Sequence, residues 1–444
     1  MKTSKIILPI IVLAAMQTTA QNPMNLKDCL QYAVENSTSI AVEDERIKEY
    51  SIERRDAWLN ALSPSVTGSA SVAASSGRLT DPETNVYTTL KTIQDSYQIH
   101  GEITLFNGFN AVNRIKIAKI ALLTGKESRK AKEDEICLST IQQYFNYTYY
   151  SKMSALAQLQ LSNAALSLQK VKREYELGNK SQQDVLEKEV FEAQAQYTFA
   201  EYNAQKNKSL MELKKVMFYP ADQNLVVDTL IENNFSAEIF DVGATAQYAV
   251  ETNFATINAK NNMDIRQLEL KTARWQMIPS IGIEAGWNTY HTYYPENKEM
   301  GGPFNDQIKN HAKKYVGAGI SIPLYNRFSK FSNQSRKKAE YQIASFEYEE
   351  RRREIENAVY AAYDDAISAG KSLEAAKKSA ELNQKYFEAA QKKFDLGTIS
   401  YIDYNDVFNN YLESQAKYYN AIFDYRIKNA VIDYYRGKSY LEQF

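Results

Sequence analysis

The sequence predicts a mainly helical fold with a β segment. Long helices pair as coiled coils, and each chain lends four strands to a shared barrel. Three observations carry this. The chain repeats itself at a nearly constant offset. Two stretches of 67 residues, 110–176 and 329–395, hold a helical pattern, the first interrupted only by Gly125. Four other stretches alternate apolar and polar residues with period 2.

The repeat is explicit. Tyr175-Glu-Leu-Gly178, followed by Ser181 and Asp184, returns as Phe394-Asp-Leu-Gly397, followed by Ser400 and Asp403, at an offset of 219 residues. Leu105-Phe-Asn-Gly-Phe109 returns as Leu324-Tyr-Asn-Arg-Phe328 at the same offset, and Gln31-Tyr-Ala-Val-Glu35 as Gln247-Tyr-Ala-Val-Glu251 at an offset of 216. Each copy is one structural unit used twice. The expected division is an export signal over 1–20, a first repeat over 21–217, a linker over 218–240 and a second repeat over 241–444.

The signal rests on Lys2 and Lys5, an apolar run over 6–16, and the small residues Thr18-Thr19-Ala20. The run is too short for a membrane-spanning helix, and no later apolar run reaches the length that one needs. A first helix is expected over 26–59, ending before Pro64. Its counterpart is expected over 244–276, ending before Pro279, because proline stops a helix and opens an extended segment. Trp58 and Trp275 precede the two breaks.

Four strands follow from alternation. Val66, Ala70 and Val72 oppose Thr67, Ser69 and Ser71. Ile99, Ile103 and Leu105 oppose Gln98, His100, Glu102 and Thr104. Ile281, Ile283, Ala285 and Trp287 oppose Gly282, Glu284, Gly286 and Asn288. Val316, Ala318, Ile320 and Ile322 oppose Gly317, Gly319 and Ser321. Polar loops are expected over 76–95 and 295–311. A half-buried soluble sheet has the same periodicity. Trp287, Tyr290, Tyr293 and Tyr294, gathered towards one end, favour a membrane-facing sheet with an interfacial girdle.

The 67-residue helices would each span ~100 Å at 1.5 Å per residue. Leu161, Ala164, Leu168, Val171 and Tyr175 step by three and four, as do Leu186, Val190, Ala193, Tyr197, Ala200 and Ala204 after the turn. Such seams pack two antiparallel helices. Leu156, Leu159 and Leu166 lie off the seam, so the hairpin wants neighbours on two sides, as in a closed ring of helices. Leu177-Gly178 and Leu396-Gly397 end the long helices, with glycine in the left-handed position past the helix end. Ser181 and Ser400 are expected to cap the return helices, with Asp184 and Asp403 three residues on.

Four strands do not close a barrel, which takes roughly eight or more. Copies must therefore share one: two chains give eight strands and three give twelve, enough to leave a channel.

In the order of these elements the chain resembles the TolC family of outer-membrane efflux proteins. The residues that carry the resemblance are Leu26-x-x-Cys29-Leu30-x-x-Ala33-x-x-Asn36, the strand starts at Pro64 and Pro279, and the two tips with Asp184 and Asp403. The resemblance covers nearly the whole chain. It implies a homotrimer with a twelve-stranded outer-membrane barrel on a twelve-helix periplasmic tube. It also implies a passive exit duct, coupled to a periplasmic adaptor and an inner-membrane pump for efflux or type I secretion. Leu177, Gly178, Ser181, Leu396, Gly397 and Ser400 become candidate adaptor-docking tips. The family's narrow periplasmic entrance is lined by two acidic positions, which fall here on Asp403 and Asp406, a cation-favouring ring in a trimer. Asp184 matches a residue that helps to hold the entrance shut through tyrosine and arginine partners. Those partner positions are Phe394 and Ile399 here, and neither side chain makes the required bonds.

A coiled-coil scaffold or adaptor confined to the periplasm is the alternative, and it leaves the alternating strands without a use. The net charge of −1 gives no footprint for nucleic acid. The three histidines have no metal-ligand spacing, and no phosphate loop or nucleophile elbow occurs, so no enzyme, cofactor or metal is expected. Cys29 and Cys137 are expected to be buried thiols rather than a disulfide framework.

Overall fold

The computed structural model describes residues 23–80, 85–230, 240–296, 300–325 and 327–444, and the export signal expected over 1–20 lies outside them. Along the chain run α1 (Leu26–Asn36), α2 (Thr38–Leu62), β1 (Ser65–Thr80), β2 (Tyr87–Phe106), α3 (Asn110–Glu176) and α4 (Gln182–Val216). There follow α5 (Val242–Thr252), α6 (Phe254–Trp275), β3 (Ser280–Tyr293), α7 (Phe304–Asn310), β4 (Lys313–Ser321), α8 (Ser329–Asp395) and α9 (Tyr401–Tyr435). The two long helices keep the expected boundaries. The expected first helix does not stay whole. It breaks at Ser37, which is extended, and its counterpart breaks at Asn253, whose side chain caps α6 by accepting from Ala255 N–H. Short polar side chains offer the backbone local hydrogen bonds that compete with helix.

Two compact units form. One comprises residues up to 38, 133–240 and 362–444, the other 39–132 and 241–361. Helices α3 and α8 contribute to both.

The second unit holds a four-stranded antiparallel sheet in the order β1-β2-β3-β4, leaving β1 and β4 as edges. Pairings such as Val66↔Gly101, Ile99↔Trp287 and Ala285↔Val316 sort the strands into two faces. One face carries Val66, Val72, Ile99, Ile283, Trp287, Tyr293, Val316 and Ile320, several of them strongly exposed. The other carries Thr67, Gln98, His100, Glu102, Glu284 and Asn288. Tyr290 falls on this polar face, so the expected aromatic girdle is split between faces. The loop expected over 76–95 is mostly strand, and that over 295–311 contains α7. Serines and threonines on both faces hide strand periodicity there, whereas backbone pairing continues to Thr80↔Tyr87.

Polar side chains lock the helices of this unit. Asn113 donates to Thr272 Oγ1 and Asn261 to Thr124 Oγ1, both at 2.8 Å. Gly125 sits inside the unbroken α3 for a packing reason: a Cβ there would lie 2.7 Å from the Tyr50 ring. Gly108 has φ +67°, and a Cβ on it would meet the Trp275 carbonyl oxygen at 2.4 Å.

The first unit is helical. Leu26, Cys29, Leu30 and Ala33 of α1 are buried, as are Ile141, Tyr144 and Phe145 of α3, with Phe145 stacked on Phe423 of α9 at 5.0 Å. The chain after α4 packs here too. Met24 N–H donates to Val226 O and Asp228 N–H to Met24 O, each at 2.9 Å, and the Tyr144 hydroxyl donates to Asp228 O. Val227 forms a single parallel bridge with Met24. Cys29 and Cys137 are buried free thiols, and burial pushes both up to about 12.

The α3 seam is as expected at Ala164, Leu168 and Val171, which are buried, whereas Tyr175 is exposed. The α4 seam is corrected. Leu186, Val190, Ala193, Tyr197, Ala200 and Ala204 face outward. Val185, Phe191 and Ala195 are buried instead, Val185 against Leu168 and Val171. Both stripes of α4 are apolar, and periodicity alone does not say which one packs within the chain. Leu159 and Leu166 are also exposed, and Leu156 packs beside Met153 and Phe408.

Candidate functional site at the hairpin tips

Each long helix ends on the same device. Gly178 has φ +78° and Gly397 φ +70°, a region closed to most side chains. Gly178 N–H donates to Tyr175 O and Asn179 N–H to Glu174 O. Gly397 N–H donates to Phe394 O and Thr398 N–H to Lys393 O, all at 2.9 Å. These paired bonds are the Schellman ending, which satisfies the last helical carbonyls. Leu177 and Leu396 then stand 70% and 79% exposed at the apices, an unusual setting for leucine.

The return helices start as expected. Ser181 Oγ accepts from Asp184 N–H at 3.2 Å, and Asp184 Oδ2 accepts from Ser181 N–H at 2.8 Å, a reciprocal capping box. Hydrogen bonds from the Ser181 hydroxyl and N–H hold the Asp184 carboxyl below the usual carboxylate range. Lys180 Nζ lies 3.5 Å from it. Ser400 Oγ accepts from Asp403 N–H and donates to Asp403 Oδ2. Asp403 and Asp406 are both exposed, one helical turn apart near the start of α9. Asp184 therefore bonds its own cap.

The positions of the missing lock partners serve another purpose. Phe394 stacks on Tyr404 with ring centroids 4.4 Å apart, and Phe191 meets Tyr404 edge-on at 5.7 Å. Ala164 and Ala195 complete the buried cluster, with Leu161, Phe387 and Ile399 packed against it. Lys188 Nζ sits 3.3 Å from the Phe394 centroid. Burial pulls its ammonium below the usual lysine range, opposed by Glu187. Burial also pushes the Tyr404 hydroxyl up to about 12. This joint fastens α4 to the ends of α8 and α9. Sequence reading missed Lys188, Phe191 and Tyr404 because it phased the α4 seam one residue away. The available signal was a lone cation at seam spacing between Val185 and Ala195.

The profile described as outer membrane efflux protein matches residues 33–217 and 239–433. The chain belongs to that family. Outer membrane protein TolC of Salmonella enteritidis is 22% identical over 230 residues, covering 51% of this chain and 45% of TolC, so the match spans about half of that relative. The fold reaches further than the identity. The Campylobacter jejuni CmeC outer membrane channel superposes with a TM-score of 0.71 at 14% identity, covering 92% of this chain and 84% of that one. The open state of the Neisseria gonorrhoeae MtrE outer membrane channel gives 0.67 at 15% identity, covering 94% and 88%.

Proposed function

We propose that this chain is the outer-membrane exit duct of a tripartite efflux or type I secretion system. It is a passive conduit that catalyses nothing and meets a periplasmic adaptor coupled to an inner-membrane pump. One observation carries the reading. The sheet has an exposed apolar face, a polar opposite face and two edges without partners among the described residues. Exposed edges of this length are an association hazard in water, and unpaired backbone is costly in lipid. Both problems vanish when β4 of one copy pairs with β1 of the next. Three copies give twelve strands with the polar face, including Glu102 and Glu284, around a wet lumen.

The helical part supports the same assembly. Leu159, Leu166, Leu186, Val190 and Tyr197 form apolar stripes that stay exposed among the described residues. Neighbouring copies in a ring would cover them. In this reading two repeats, 21–217 and 241–444, joined by 218–240, build the protomer. The Gly178 and Gly397 tips with Leu177, Leu396, Ser181 and Ser400 meet the adaptor. Asp403 and Asp406 line the entrance. Chemical cross-linking and native mass measurement of the outer-membrane fraction test this. A trimer is expected, and a monomer or a soluble periplasmic species overturns it.

A further inference from the structure

The apolar face of the sheet ends in a structured rim. Beyond Asn288, which pairs with Lys313, β3 has no β4 partner. The loop before β4 folds back to cover that stretch. The Gln307 side chain accepts from Thr292 N–H at 2.9 Å and donates to Thr292 O at 3.1 Å, imitating a paired strand. Thr289 Oγ1 donates to Ile308 O at 2.8 Å. Phe304 lies edge-on over His291 at 4.8 Å, and His291 in turn holds Asp95 at 3.1 Å. Thr289, His291 and Asp95 share the face of Trp287, so α7 sits on the apolar side and shields an ionisable pair there.

The height of this rim is informative. Ten residues separate Ile281 from His291, a rise of about 25 Å for a strand tilted by ~40°. That matches the apolar band of an outer-membrane barrel, about 25 Å tall. Two exposed cations share this end of the apolar face: Lys309 on α7, and Lys314, which lies below the rim on the face of Val316, across from Trp287, with a long stem to carry its charge outward. Phe304, at the start of α7, is exposed as well. An exposed aromatic and lysines at the end of an apolar band fit the headgroup layer.

We propose that α7 and Lys314 form a binding collar for anionic, phosphorylated lipid headgroups. Lys309 and Lys314 hold the phosphate, and Phe304 lies against the upper acyl chains. The proposal rests on the membrane reading given above. A lysine near an anionic lipid surface is worth roughly fivefold in affinity, so two give about 25-fold.

The test uses the full-length protein, purified in detergent and offered phosphatidylglycerol or phosphatidylcholine, with retained lipid counted by native mass spectrometry. Wild type is expected to prefer phosphatidylglycerol by about 25-fold. The Lys309→Gln/Lys314→Gln double variant should fall towards parity, and Lys309→Arg/Lys314→Arg should keep the preference. Millimolar inorganic phosphate should not displace the lipid. Displacement would mark a free-anion site instead and overturn the proposal. Equal retention of both lipids by wild type, or an unchanged preference in the glutamine variant, also overturns it. Insertion into vesicles of both lipids is scored separately. Failure to insert at all overturns the membrane reading together with the collar, whereas insertion without preference overturns the collar alone.

Discussion

The Lys188 ammonium lies 3.3 Å from the centroid of the Phe394 ring, and thereby fastens the start of α4 to the end of α8. The ring is held from its other neighbours by Tyr404 at 4.4 Å and Phe191 at 6.4 Å. A cation over an aromatic face gains up to about 2 kcal/mol when desolvated. Lys188→Met should keep the stem's packing and lose that term, but it also relieves the burial that holds the ammonium below the usual lysine range, so stability should fall by no more than about 1 kcal/mol. Phe191→Ala, in the fully buried part of the joint, should cost about 3–5 kcal/mol. Both are read as shifts of the urea midpoint. A Lys188→Met protein as stable as wild type would show that the lysine merely rests on the ring.

A second joint responds to acid. Asp134 on α3 accepts a hydrogen bond from the backbone of Tyr440, and burial raises its carboxyl to about 6, helped by Glu133 and Glu442. Its folded pKa therefore exceeds the unfolded value. The stability that it contributes is full below the unfolded value near 3.8 and is lost as the pH rises through about 6. Asp134→Asn should stabilise the protein at pH 8 by about 1–2 kcal/mol, after discounting for partial exposure to screening solvent. The gain should shrink by pH 4. Urea midpoints at the two pH values decide the matter, and equal shifts at both would remove titration as the cause.

How much was legible in the sequence follows from what each signal reports. Residues 110–176 and 329–395 are helices to the residue because the strand ends before them and the glycines after them are local signals. The break at Ser37 was not legible. Asn36-Ser37-Thr38 gives only a weak local signal, short polar side chains that compete with helix, and such residues also occur inside helices; Ser37 is buried at the junction. The capping roles of Ser181 and Ser400 were readable for the same local reason as the helix ends. The joint around Lys188 was not, because it depends on which of two apolar stripes of α4 turns inward. The outward stripe, Leu186, Val190 and Tyr197, has the same spacing as a buried one, so periodicity alone does not tell which of the two packs within the chain.

The tip glycines give a sharp backbone test. A Cβ on Gly178 or Gly397 meets nothing within 4 Å, so a substitution there is opposed by the left-handed backbone rather than by a clash. Gly178→Val and Gly397→Val should each cost roughly 1–2 kcal/mol locally and reshape the apex. Export of a fluorescent efflux substrate should fall, while heat-resistant trimers on gels remain. Normal export by both variants would remove the apices from the docking surface.

The acids of the second tip separate a gate from a cap. Asp403 is bonded by Ser400, and Asp406 stands one turn further along the same exposed helix face. A cap alone would stabilise its own helix by about 1 kcal/mol and leave conduction untouched. In a trimer the pair would instead bring carboxylates from every copy to one constriction, and such rings favour cations and bind multivalent ones. Single-channel recording in planar bilayers distinguishes the two. Wild type should prefer potassium over chloride and be blocked by a trivalent cation, and Asp403→Ala/Asp406→Ala should lose both properties. Asp184 is bonded to Ser181 at the start of α4 much as Asp403 is to Ser400, so Asp184→Ala is the control: it weakens a cap and should change selectivity less. If the double variant and Asp184→Ala leave selectivity equally unchanged, Asp184 and Asp403 serve only their own helix starts, Asp406 is a solvated acid, and the selective constriction lies elsewhere along the duct.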